Sequence, residues 1–141
     1  MARPLQRNIA MNGLQASAGF LALLGGFAHM VLGEMWIISP LDPKRLPTTN
    51  AGSGDTIKRY LRWFWHVGTV MIFLFAGGAL LIGLSSVVPS ERLVANILSI
   101  WFAGGCLAFC VVAVPSPRHF VRIPQGLLMG LCALLLWFGS S

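Results

Sequence analysis

Two histidines and a glutamate lie inside long apolar stretches of this chain, where ionisable side chains are rare. His29 and Glu34 are near the end of the first stretch, and His66 is near the start of the second. Imidazole and carboxylate groups can ligate a transition metal, and two imidazoles can ligate haem b axially. The residue types therefore predict a cofactor site at His29 and His66, or a metal site at His29, Glu34 and His66.

Basic and amide side chains that could join this polar cluster lie beside the same ends of the apolar stretches: Arg59, Arg62, His119, Arg122 and Gln125. Ionisable residues in membranes usually pair, so a structural alternative is an ion pair from Glu34 to Arg62 or Arg59. The histidines could equally be hydrogen-bonded core residues, because polar side chains bridge membrane helices. His119 and Arg122 are typical of a basic cluster that meets anionic lipid headgroups.

Depth counting places the cluster near one membrane face. In a helix with 1.5 Å rise per residue, His29 lies about 14 Å below Ile38, and Glu34 about 6 Å below it. His66 lies about 9 Å below Tyr60 on the next helix. His29 and Glu34 are five residues apart, about 140° around a regular helix, so they share a face only if the helix is distorted.

The composition predicts an integral membrane protein. The 141 residues are 56% hydrophobic and 10% charged, with mean hydropathy +0.76, whereas soluble domains are about 25% charged. The net charge of +6 is explained by Lys and Arg at helix ends, so we expect a lipid bilayer and no nucleic acid as partner. The cysteines all lie in apolar stretches and are expected to be core residues.

Four apolar stretches are long enough to be helices that cross a bilayer: residues 14–38, 60–84, 93–114 and 123–138. The second and third connections are short, which favours antiparallel neighbours. We therefore predict one transmembrane domain over residues 1–141, an all-α, integral membrane, four-helix up-down bundle. Trp36, Trp63 and Trp65 are expected to be interfacial anchors.

Lys and Arg counts predict the orientation. The first loop (residues 39–59), the third loop (residues 115–122) and the adjoining helix ends are rich in basic residues: Lys44, Arg45, Lys58, Arg59, Arg62, Arg118 and Arg122. The other side carries Arg3, Arg7 and Arg92. The positive-inside rule places the first and third loops in the cytoplasm, which for a bacterial protein means an inner-membrane location.

Small residues recur at alternating spacings of three and four on three of the predicted helices. The first has Gly19, Ala22, Gly26, His29, Gly33 and Trp36; the third has Asn96, Ser99, Ala103, Cys106, Cys110 and Ala113; the fourth has Gly126, Gly130, Ala133 and Trp137. Small residues let membrane helices approach closely. The pattern predicts a closely packed bundle, contacts within a homo-oligomer, or both.

Three short motifs carry a family resemblance: His29-Met-Val-Leu-Gly-Glu34, Trp65-His66 and Ile123-Pro-Gln125. On these the chain resembles small bacterial four-helix membrane proteins of uncharacterised function, a likeness that covers most of its length and implies no activity. Haem-binding four-helix cytochromes are a looser comparison, because they use more histidine pairs.

The sequence leaves three functions open. The first is a binding or accessory protein that holds a cofactor, metal or lipid-like ligand at the polar cluster, alone or inside a larger membrane complex. The second is a small proton-coupled carrier that uses Glu34 and the histidines as its ionisable pathway. The third is a membrane redox enzyme that uses haem; no hydrolytic or phosphate-binding motif is present, so other enzyme classes are disfavoured.

Overall fold

A computed structural model describes residues 12–50, 52–114 and 124–141. Within them the chain is all-α, and four long helices are present: α1 Gly13–Gly33, α2 Gly54–Leu84, α3 Glu91–Ala113 and α4 Gln125–Gly139. A π-helical turn, Glu34–Ile38, continues α1, and a 3-10 turn, Pro43–Arg45, follows in the first loop. The described residues form no β-strand, only an isolated bridge between Thr49 and Gly52.

Three helical stretches are long and apolar enough to cross a membrane: Gly13–Ile38, Gly54–Leu84 and Glu91–Ala113. α4 is apolar but has only 15 residues. Large apolar side chains cover the outside of the helices, for example Phe20, Leu74 and Leu107, each more than half exposed. Such extensive apolar surface is typical of a protein that contacts lipid.

The second helix begins at Gly54, six residues before the predicted start at Tyr60. Hydropathy finds only the apolar part of a helix, and the first turns of α2 are polar. Asp55 lies in the first turn, where a carboxylate interacts favourably with the helix dipole. The 31 residues of α2 extend about 46 Å, which exceeds the hydrocarbon thickness of about 30 Å. α2 is therefore longer than the apolar layer of a bilayer is thick.

α1 packs between α2 and α4, and α3 packs mainly on α4. Gly19 of α1 lies against Leu80 and Gly26 against Phe73, so the contacts run in opposite directions along α1 and α2. α3 and α4 are also antiparallel, and the Ser99 hydroxyl donates a hydrogen bond to the Ala133 carbonyl at 2.8 Å. The largest fully buried side chains, Phe102, Cys132 and Leu136, fill the space between the helices.

The predicted packing stripe is confirmed on α1 and only partly on α3. Gly19, Ala22, Gly26 and Gly33 are all buried. On α3, however, Ala103 is exposed and Phe102 is buried in its place. Trp36, the last member of the α1 stripe, and Trp137, the last member of the α4 stripe, are more than half exposed. The α1 stripe is therefore confirmed at its small residues and not at Trp36, because a large ring does not permit the close helix approach that small residues allow.

The end of the bundle opposite the first loop is joined by amide side chains. The Asn12 and Gln15 side-chain amides both donate to the Gly139 carbonyl, and the Ser140 hydroxyl donates to Asn96. These bonds satisfy a carbonyl at the end of α4 that has no partner within the helix. They join the start of α1 to the end of α4 and form a polar layer at this end of the bundle.

Candidate functional site

Glu34 begins the π-helical turn that ends the first span. The Ser39 amide donates to the Glu34 carbonyl at 2.8 Å, five residues apart rather than the four of an α-helix. This wider turn brings the Ser39 hydroxyl within 3.1 Å of Glu34 Oε1, to which it donates. Single π-helical turns within α-helices are frequent at functional sites. The turn begins at Glu34, after the regular helix that contains His29, so it changes the surroundings of Glu34 and not the angle between His29 and Glu34.

The Glu34 carboxylate accepts hydrogen bonds from α2 on both of its oxygens. Arg62 Nη2 lies 2.8 Å from Oε1, and Arg62 Nε donates to Oε2 at 3.2 Å. His66 Nε2 lies 3.5 Å from Oε2. A guanidinium that holds a carboxylate through two N–H groups is the most directional ion pair available to proteins. The structure therefore selects Arg62, not Arg59, as the partner of Glu34.

One face of α2 holds the end of α1 over three consecutive turns. We call Lys58, Arg62 and His66 the basic stripe, since they are spaced four residues apart and share a helix face. Lys58 Nζ donates to the Ser39 carbonyl at 2.9 Å and to the Leu41 carbonyl at 2.7 Å. Carbonyls at a helix end have no partner within the helix and attract cations. The basic stripe thus pairs with the Glu34 carboxylate and donates hydrogen bonds to the carbonyls at this end of α1.

His29 is held at a second polar level by residues of two other helices. Its Nδ1 lies 3.4 Å from Gln125 Oε1, at the start of α4. Its ring stacks on Trp65 of α2, with centroids 4.2 Å apart and an angle of 7° between the planes. Trp65 Nε1 also donates to the His29 carbonyl at 3.0 Å. His29 therefore connects α1, α2 and α4 at a single point.

Gly33 makes room for Trp65. A Cβ atom at Gly33 would overlap the indole ring, so only glycine permits this close approach at the end of α1. On the other side, the Thr69 hydroxyl donates to the Trp65 carbonyl at 3.2 Å. The Trp65 side chain is half-buried, and its position is set by Gly33 and His29 together.

The two histidines have different partners. His66 contacts the Glu34 carboxylate, whereas His29 contacts Gln125 and Trp65. In the part of the chain that the structure describes, no group of three or more His, Cys, Asp or Glu side chains is placed to hold a metal ion. The Glu34 carboxylate is paired with Arg62, and the metal site at His29, Glu34 and His66 stays a prediction. Axial haem ligation by His29 and His66 stays a prediction.

The remaining predicted site residues fall in three places. Gln125 lies beside His29, as expected for a member of the polar cluster. Arg59 is exposed and has no ion-pair partner within the described ranges. His119 and Arg122 lie outside the described residues.

Sequence reasoning missed Trp65, Ser39 and Lys58. Trp65 was expected to anchor the interface, but its ring packs on His29 instead. Lys58 was detectable, because Lys58, Arg62 and His66 recur every four residues, but the predicted helix began after Lys58. Ser39 gave no signal, since only the π-helical turn brings it to Glu34.

A small cavity of about 20 Å³ lies beside Gln125 and is lined by Ala22, Gly25, Ile72, Phe102, Leu128, Met129 and Cys132. That volume holds about one water molecule, but a water needs two to four polar partners. Apart from Gln125, the walls are apolar or weakly polar. Phe102 and Cys132 of this lining also belong to the buried apolar core, together with Leu136.

Comparisons with family models, with curated proteins and with solved structures find no match for the chain. The resemblance to small bacterial four-helix membrane proteins therefore stays a hypothesis, and the site's own geometry carries the functional inference.

Proposed function

We propose that this protein is a four-helix, up-down integral membrane protein that serves as a binding or accessory module. Its binding site is the ionic cluster of Glu34, Arg62 and His66, with His29 and Gln125 beneath. Three apolar helices of membrane-spanning length and the lipid-like outer surface support the membrane assignment. The alternating direction of the contacting helices supports the up-down arrangement.

The observation that carries the proposal is a cluster that is rigidly held yet still accessible. The π-helical turn, Ser39 and the basic stripe fix the Glu34 carboxylate from several directions. Nevertheless, 44% of the Arg62 side chain and 41% of the His66 side chain are exposed. Binding sites need groups in fixed positions with hydrogen-bonding capacity left over. Arg62 and His66 meet both conditions.

The first-loop end of the bundle is the more basic one, so the positive-inside rule places this site on the cytoplasmic side. The last turns of α3 and the start of α4 also lie at this end, since Gly126 packs against Phe109 and Gln125 contacts His29. For a bacterial protein, as the family resemblance suggests, the location is the inner membrane. The half-exposed cluster is then reachable from the cytoplasm, from the lipid or from a partner subunit of a larger complex.

A proton-coupled carrier is the second candidate, and the two polar levels favour it. His29 lies deeper than the Glu34–His66 contact on the same helix pair, so ionisable groups occupy successive depths. The apolar core beyond the cavity opposes a fixed conduction path, and a carrier would have to open that core. If the protein is a carrier, wild-type proteoliposomes take up protons and Glu34→Gln abolishes that proton uptake. If it is a binding module, neither protein takes up protons.

Native mass spectrometry tests the binding proposal directly. The wild type is released from mild detergent micelles and compared with Arg62→Gln, with Arg92→Gln at the opposite face as the matched control. We expect a bound small molecule on the wild type and on Arg92→Gln, reduced at least tenfold on Arg62→Gln. Equal occupancy in all three proteins, or none in any, would overturn the proposal.

A further inference from the structure

We propose that Arg59 and the outward edge of Arg62 bind the phosphate of an anionic phospholipid headgroup. This inference rests on the proposed binding function and names its ligand class. Glu34 orients the Arg62 guanidinium, and this ion pair engages two of its five N–H donors and leaves three unused.

A guanidinium group has five N–H donors in one plane, arranged along two edges. The Arg62 edge formed by Nε and Nη2 faces Glu34. The remaining edge, formed by Nη1 and the second N–H of Nη2, has no protein acceptor within the described residues. With 44% of the side chain exposed, this edge is open to a second anion. A phosphate accepts two parallel N–H bonds from such an edge.

Arg59 supplies the second cation. It precedes Arg62 by three residues on α2, so the two side chains are neighbours on the helix surface. Arg59 is exposed, and no carboxylate among the described residues pairs with it. Asp55, one turn before it, is the nearest acidic residue along the helix, and it is also exposed. An exposed ion pair four residues apart on a helix is weak, so Asp55 competes weakly with a phosphate.

The depth of the two arginines matches that of lipid headgroups. Tyr60 and Trp63, which lie between and beside them on α2, are 52% and 59% exposed. Trp36, two residues after Glu34, is 67% exposed. Exposed Tyr and Trp residues mark the membrane–water interface, with their rings at headgroup level. The arginines are therefore beside the phosphates of the surrounding lipid, while soluble phosphate would approach only from the aqueous side.

The arrangement favours an anionic lipid over a zwitterionic one. Glu34 is neutralised by Arg62, so Arg59 carries a positive charge that no described ion pair compensates. The Lys58 ammonium donates to two uncharged carbonyls and adds to this positive charge. Basic residues at a membrane surface attract anionic headgroups. The bound lipid is therefore phosphatidylglycerol or another phospholipid of the same charge, with its headgroup against α2.

The test measures thermal unfolding of the purified protein with added lipid. Wild type, Arg59→Gln and the opposite-face control Arg92→Gln are each titrated with phosphatidylglycerol, with phosphatidylcholine or with inorganic phosphate. Arg59→Gln leaves the Glu34–Arg62 pair intact, so its fold is preserved. We expect phosphatidylglycerol to raise the unfolding temperature of wild type and Arg92→Gln, and about tenfold more of it to be needed for Arg59→Gln. High salt reduces the effect.

Three outcomes would overturn the headgroup inference. These are equal responses to the two lipids, equal responses of Arg59→Gln and Arg92→Gln, or stabilisation by inorganic phosphate alone. The native mass spectra separate this failure from failure of the proposed function. A bound molecule that is lost from Arg62→Gln, without any effect of phosphatidylglycerol, rejects the lipid and retains the binding site. Absence of both rejects both.

Discussion

Arg62 Nη2 and Nε hold the two oxygens of Glu34 at 2.8 and 3.2 Å, and this pair joins the end of the first span to the start of the second. The geometry needs a planar donor with two N–H groups on one edge. Lysine offers a point charge on a flexible stem, so it cannot replace both contacts.

We therefore predict a graded loss of thermal stability at this position, with wild type most stable, Arg62→Lys intermediate and Arg62→Gln least stable. The shifts will be small, because both side chains are partly exposed and exposed ion pairs are screened. Unfolding monitored by circular dichroism in detergent checks the order. Equal midpoints for Arg62→Lys and wild type would show that charge alone, without the paired geometry, holds the two helices.

Gly33→Ala tests the close packing of Trp65 on the end of α1. The added methyl group overlaps the indole ring, so the ring must move off His29. Forcing an extra methyl group into a packed site costs about 1–3 kcal/mol. We expect a lower unfolding midpoint together with a changed tryptophan near-ultraviolet circular dichroism signal.

Gly104→Ala on α3 is the matched control for this change. An added Cβ at Gly104 meets nothing within 4 Å, and alanine is favoured over glycine in a helix by about 1 kcal/mol. Gly104→Ala should therefore leave the spectrum unchanged and not lower the midpoint. If both variants behaved alike, the effect would belong to helix propensity and not to the Gly33–Trp65 contact.

The described residues lack a three-ligand group, and this leads to a prediction about metal content. Wild type and His29→Ala, purified after expression with added transition metals, should contain equal and substoichiometric metal by elemental analysis. One equivalent of metal in the wild type that disappears in His29→Ala would support the metal hypothesis instead. The visible spectrum of the same wild-type sample, after expression with haem available, tests the haem hypothesis: a Soret band lost in both His29→Ala and His66→Ala would support axial ligation.

The fold was largely predictable because its determinants are local. Apolar runs of membrane length predict the helices, and the stripe of Gly19, Ala22 and Gly26 predicts the packing face of α1. The start of α2 was not predictable from hydropathy, because its first turns are polar and stabilised by contacts with the first loop. Lys58, for example, gains its partners only when the carbonyls of Ser39 and Leu41 fold back onto α2.

The candidate site was only partly predictable in its pairings. An ion pair from Glu34 to Arg62 or Arg59 was expected, and the structure forms the one with Arg62 and adds His66. The π-helical turn, in contrast, has no signal in the hydropathy or the spacing of the sequence, and its residue Ile38 is buried. That turn decides which groups surround Glu34. His29 was expected opposite His66, yet it stacks on Trp65. The indole ring fits there because Gly33 has no side chain, and the spacing of residues along the sequence does not reveal this contact.

Cysteine labelling tests the predicted topology. Single cysteines are introduced at Ser53 in the first loop and at Ser86 after α2, in a background where the native cysteines are replaced by serine or alanine. Both positions are exposed and lie at opposite ends of α2. A membrane-impermeant maleimide applied to spheroplasts should label Ser86→Cys and not Ser53→Cys until the membrane is permeabilised. The reverse pattern would invert the orientation and place the ionic cluster outside the cell.

The most direct test of the ionic cluster as a binding site is a charge exchange, Glu34→Arg together with Arg62→Glu. The exchange preserves opposite charges across the α1–α2 contact, but it moves the guanidinium from α2 to the end of α1. Unfolding and native mass spectra of the double variant are compared with those of wild type and of each single variant. We expect the double variant to regain most of the stability that the single variants lose, yet to remain without the bound molecule. Recovery of both stability and the bound molecule would show that Glu34 and Arg62 act only as a structural ion pair.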